Sequence, residues 1–134
     1  MPMTDLTGEW VFDSAGSDPM VEVWRDRRIL YSIEQQPGYI RLEFRPENGR
    51  PNIRTYRWDG GVAKFERGEA EVRERGLWTD GGDAFEIEGR WWNFDDTATI
   101  HSYRFSYRVE RALLEFSQSD EHGETVWRFR REQS

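Results

Sequence analysis

The stretch Tyr39-Ile40-Arg41-Leu42-Glu43-Phe44-Arg45 alternates without a fault. Ile40, Leu42 and Phe44 fall on one face, and Tyr39, Arg41, Glu43 and Arg45 on the other. A period of two marks an extended strand with one dry face and one wet face. Pro37-Gly38 precedes it and the loop Pro46-Glu47-Asn48-Gly49-Arg50-Pro51 follows, so turn-forming residues bound the strand on both sides.

The rhythm continues in both directions. Upstream, Ile29 to Gln36 reads as a strand. Downstream, Ile53 to Trp58 ends at the hairpin signal Asp59-Gly60-Gly61. Val62 to Arg67 and Glu69 to Trp78 flank a turn at Gly68, and Gly76 predicts a bulge or bend within the second of them. Ala84 to Trp92, Thr97 to Arg108, Leu113 to Ser119 and Thr125 to Arg131 follow, with turns at Asp80-Asp83, Asn93-Asp96, Glu110-Arg111 and Asp120-Gly123. Near the N-terminus, Leu6-Thr7-Gly8-Glu9-Trp10-Val11-Phe12-Asp13 is a further strand. Gly8 lets its backbone pass close beneath a neighbour, and Trp10 supplies a large plug for one end of the structure. Between this strand and Ile29, residues 14–19 form a loop, and Pro19 to Arg27 predicts a short helix or irregular lid. A strand is the competing reading, because Val21 and Val23 alternate with Glu22 and Trp24. A lid would place Trp24 to close a mouth, and otherwise Trp24 is ordinary packing.

Many short strands joined by local turns make a meander, and a meander of this size closes on itself because closure removes exposed edges. The expected fold is therefore all-β: a single antiparallel up-and-down β-barrel of about 8–10 strands, in one domain spanning residues 1–134. Composition agrees. Aromatic residues make up 15% of the chain against 34% charged, which suits a thin wall that is wet outside and aromatic inside.

Charge and cysteine content exclude several functions. A net charge of -7 lacks the basic face that nucleic acid needs. Apart from Lys64 the basic residues are all Arg, interleaved with Glu, as in cross-strand charge pairs on a solvated face. There is no Cys, hence no disulfide, thiolate metal site or Cys nucleophile. With only His101 and His122 present, no multi-histidine metal centre is expected. No signal-like or membrane-spanning apolar run is evident, which makes a cytoplasmic location the expectation.

With the strands placed, the chain resembles the lipocalin and fatty-acid-binding-protein group, the calycin barrels, and among them small bacterial lipocalin-like domains. The residues that carry the resemblance are Gly8-Glu9-Trp10, Thr55-Tyr56-Arg57-Trp58-Asp59-Gly60 and Val126-Trp127-Arg128-Phe129-Arg130-Arg131. It implies that an Arg near the last strand covers the first-strand Trp, and Arg131 shares the parity of Trp127 and Phe129. It also implies a ligand inside the barrel. The Arg-x-Tyr carboxylate pair of intracellular fatty-acid-binding proteins is absent, since the last strand reads Arg128-Phe129-Arg130. A haem site of nitrobindin type would need an inward His near the end of the chain, and no cofactor is expected.

Parity turns Tyr31, Tyr56, His101, Tyr103, Tyr107 and Gln118 inward among a mainly aromatic lining. Buried polar groups need partners, so they mark where a ligand would be oriented. The leading expectation is binding of one small hydrophobic or aromatic molecule by Tyr56, Trp58, Trp91, His101, Tyr103 and Phe116. The alternative is a cofactor-independent isomerase, cyclase or dehydratase in the same cavity, with His101 as general base and Tyr103 or Tyr56 as hydrogen-bond donor. A third is a filled barrel that works through its outer surface, as a homodimer.

Overall fold

The computed structural model describes residues 4–13, 29–46 and 50–132, and the lid expected over 19–27 falls outside them. Ten strands form: β1 (Gly8–Phe12), β2 (Leu30–Gln36), β3 (Tyr39–Arg45), β4 (Asn52–Arg57), β5 (Val62–Arg67), β6 (Ala70–Trp78), β7 (Ala84–Asn93), β8 (Asp96–Glu110), β9 (Leu113–Asp120) and β10 (Gly123–Arg131). Every pairing between them is antiparallel. They make one sheet in the order β4-β3-β2-β1-β10-β9-β8-β7-β6-β5, so the first and last strands of the chain pair and the ribbon curls into a nearly closed barrel.

The single break lies between β4 and β5, the two edges of the sheet. The sequence signal at Asp59-Gly60-Gly61 predicts a hairpin, and the chain does turn there, yet the flanking strands do not pair. Asp59 Oδ1 accepts the Gly61 N–H at 2.9 Å and Gly60 has φ +78°. This side-chain-closed turn lets the strands part. Across the break the Arg54 guanidinium sits 4.2 Å from the centre of the Phe65 ring, a side-chain contact where ladder bonds stop.

Gly76 makes no bulge, because β6 and β7 keep register from Ala70 to Trp78. Its missing side chain makes room instead: a Cβ there would lie 2.3 Å from Cζ of the fully buried Phe85. The register shift falls between Trp91 and Asn93.

The core runs through the inward residues of nearly every strand. Trp10, Ile40, Ile87, Leu114 and Phe129 are among its fully buried members. Arg131 does lie over Trp10, 4.3 Å from the ring, and its Nη1 donates to the Thr7 carbonyl at 3.1 Å. Trp10 Nε1 donates to the Leu6 carbonyl at 3.0 Å. Gly8 earns its place here, since a Cβ would meet the guanidinium at 2.6 Å and its φ of +153° disfavours a side chain.

On the outside, cross-strand charge ladders appear as expected. Arg75, Glu88 and Arg104 stand side by side on β6, β7 and β8, as do Arg108, Glu115 and Arg128 on β8, β9 and β10. Glu43 departs from its expected wet face. It is buried beneath Arg41, which bonds it at 3.2 Å, and Arg45.

Candidate functional site

Tyr31, Tyr56, His101, Tyr103, Tyr107 and Gln118, the six polar residues with inward parity, all line one internal cavity of about 880 Å³. Phe44, Phe65, Phe105, Phe116, Trp91 and Trp127 form much of its apolar wall. The volume lies within the range of sites for drug-sized ligands. The cavity reaches the end of the barrel where Glu69, Asn93 and Glu121 mark the turns β5–β6, β7–β8 and β9–β10.

Five of the six expected ligand residues line this space, namely Tyr56, Trp91, His101, Tyr103 and Phe116. Trp58 does not. It follows the last residue of β4 at the opposite end, packed edge-on against Trp78 with ring centres 5.6 Å apart. Parity brought Trp58 inward correctly, but height along the barrel, which alternation does not encode, placed it in the base.

His101 stands near the mouth. Its ring stacks on Trp91 at 4.2 Å and Nδ1 lies 3.1 Å from Glu121 Oε1. Tyr103, two residues further along the same face of β8, reaches another partner. Its hydroxyl donates to Glu74 Oε2, while the Tyr56 hydroxyl donates to Glu74 Oε1 at 2.7 Å. Glu74 is only 5% exposed and lines the cavity from β6. Sequence reasoning missed it, although Val72, Glu74, Gly76 and Trp78 share one face and its inward parity could have been read.

Gly89 makes the triad possible. It pairs with Glu74 on one side and Tyr103 on the other. A Cβ at Gly89 would lie 2.1 Å from Tyr103 Cζ, so the phenol crosses β7 over the one residue that leaves room for it.

Burial, reinforced by Glu74, holds both the Tyr56 and the Tyr103 phenols far above the ordinary tyrosine range, so they stay protonated donors. Deeper in, the Tyr31 and Tyr107 hydroxyls share a 3.2 Å hydrogen bond. Burial pushes Tyr31 up to about 12, against a smaller lowering by that bond, and raises Tyr107 well above its usual value. The folded state thus holds these protons more tightly than the unfolded chain, whose tyrosines titrate near pH ~10. Stability is fully present below that pH and is lost as pH rises towards the folded value of about 12 for Tyr31. Urea midpoints should fall steeply between about pH 9.5 and 11.5, with the tyrosinate absorbance of Tyr31, Tyr56, Tyr103 and Tyr107 appearing only on unfolding. A flat midpoint over that interval would remove the buried phenols from the stability of the fold.

No family model matches the sequence, and no curated protein matches it either. Solved structures do match in shape. Caenorhabditis elegans lipid binding protein 8 superposes with a TM-score of 0.69 at 11% identity, covering 98% of this chain and 100% of that one. Echinococcus granulosus fatty-acid-binding protein 1 gives 0.67 at 11% identity, over 94% and 96% of the two chains. Human cRBP IV gives 0.66 at 12% identity, over 96% and 99%. This chain shares the fold of these proteins. The likeness is one of shape: a ten-stranded antiparallel barrel that superposes over nearly the whole of each chain. Among the described residues of this barrel no cluster of His, Cys, Asp and Glu could hold a metal ion, and no helix is long and apolar enough to cross a membrane.

Proposed function

We propose that this barrel binds one small hydrophobic or aromatic molecule inside its cavity. The observation that carries the reading is the cavity itself, a large space walled by aromatic rings with its polar groups gathered at a few points. The shape shared with proteins named for lipid and fatty-acid binding supports it. Apolar surface on the wall supplies affinity, and the polar groups fix orientation.

The catalytic alternative needs His101 and either Tyr103 or Tyr56, whose hydroxyl is likewise bonded to Glu74, to act on one substrate. Here each is engaged separately, His101 by Trp91 and Glu121 and Tyr103 by Glu74, so binding is the reading we adopt.

Trp91 and Trp127 line the cavity, so their emission reports on its contents. Titration with a panel of neutral apolar dyes should quench or shift tryptophan fluorescence in a saturable manner at one site per chain. Silence across the panel would leave a barrel whose interior takes no ligand.

A further inference from the structure

The polar part of the cavity is not neutral. Glu74 is buried, and both of its oxygens are held by phenols that burial keeps protonated. Two neutral donors orient a carboxylate but leave its charge in place. No Arg, Lys or His among the described residues stands within ion-pairing distance of it. Arg54, on β4, rests on the face of Phe65; it acts on both phenols, and Arg67 on Tyr103, from longer range without forming an ion pair with Glu74. A carboxylate offers roughly four acceptor positions, of which the phenols occupy two. A buried anion without a directly paired counter-ion is costly, and a ligand that supplies a cation in contact recovers part of that cost on binding.

We propose that the ligand carries a protonated amine, with Glu74 as its counter-ion and Tyr56 and Tyr103 holding the carboxylate in place. The proposal rests on the cavity reading above and gives its occupant a chemical class. The rest of the lining is consistent with it. Among the described lining residues Glu69, Glu74, Asp120 and Glu121 face only Arg54 and Arg67 as opposite charges, in a chain whose net charge is -7. That field draws cations to the mouth and repels anions. The rings of Tyr103 and Phe105, which also line the cavity, are groups that attract a cation. Phe116, Trp127 and Phe129 across the cavity receive the apolar body.

The test uses three probes of one chain length, dodecylamine, dodecanol and dodecanoate, each below its micellar concentration at neutral pH. Their affinities are read by displacement of Nile red from the intact protein. The amine is expected to bind about tenfold more tightly than the alcohol, as a charge-assisted hydrogen bond in a buried site allows. Glu74→Gln, which keeps the side chain's shape, should abolish that preference, read as the amine-to-alcohol ratio within the variant. Because the amine-to-alcohol ratio is measured on the wild type, the outcome does not depend on the variant folding.

Equal binding of amine and alcohol, or an amine preference that survives Glu74→Gln, overturns the proposal. So does tighter binding of dodecanoate, especially if Arg54→Gln then weakens it, because the guanidinium would be the anchor. In these cases dodecanol binding shows that the cavity reading still stands. Failure of all three probes to bind removes both.

Discussion

Trp10→Ala lowers the melting temperature by about 10–20 °C. The side chain is fully buried at the closed end of the barrel, so truncation removes a large apolar surface and leaves a cavity. Such losses cost about 3–5 kcal/mol, a large share of the ~5–15 kcal/mol that holds a domain folded. At the usual unfolding entropy per residue, that cost converts to the stated shift for a chain of this length. Two further contacts go with the ring, the indole bond to the Leu6 carbonyl and the Arg131 guanidinium stacked over it. Arg131→Ala removes only the second, together with the bond to Thr7, and should cost nearer ~1 kcal/mol. Trp10 does not line the cavity, so below its lowered melting point the variant should still bind an apolar dye. Differential scanning calorimetry decides the matter. A shift of only a few degrees for Trp10→Ala would mean that the base is not what seals the barrel.

Gly89→Ala is expected to have the second large effect, and it acts at a distance from its own backbone. The new Cβ would occupy space held by Tyr103, with Cζ, Cε2 and the hydroxyl at 2.1, 2.3 and 2.5 Å. Tyr103 must therefore leave, and Glu74 loses one of its two hydrogen-bond donors while remaining buried. Displacing a packed ring and stranding part of a buried polar group costs about 1–3 kcal/mol. If the cost arises from Tyr103, it should nearly vanish in a Tyr103→Ala background, because residues in contact are not additive. A double-mutant cycle in urea measures this directly. The same penalty in both backgrounds would locate the strain in β7 itself and dissociate Gly89 from the triad.

Much of the fold was legible because one face of each strand is dry. The alternation of Ile40, Leu42 and Phe44 cannot slip by one residue without exposing all three, so pattern fixes both strand and register. The glycine and aromatic signals at Gly8 and Trp10 also translated into a real contact with Arg131, some 120 residues away in sequence. What was misread has a common cause. At Asp59-Gly60-Gly61 the turn chemistry is local and correct, but whether the flanking strands pair depends on how far the sheet must curl. Gly76 and Gly89 look like weak points in strands. Each is a vacancy shaped by one ring from elsewhere, Phe85 in the first case and Tyr103 in the second.

The sequence by itself determined an all-β meander, the identity of its dry face, the exclusion of cysteine chemistry, and the set of polar side chains that turn inward. These follow from short-range periodicity and composition, which any stretch of chain carries within itself. Only the tertiary structure decided that the ladder breaks between β4 and β5, that Trp58 lies in the base and His101 near the mouth, and that Glu74 meets Tyr56 and Tyr103. Those three come from β6, β4 and β8, and Tyr103 reaches Glu74 only by crossing a strand at a residue without a side chain. Height along the barrel and contacts across strands depend on the curvature of the closed sheet, a property of all ten strands together and of no single segment.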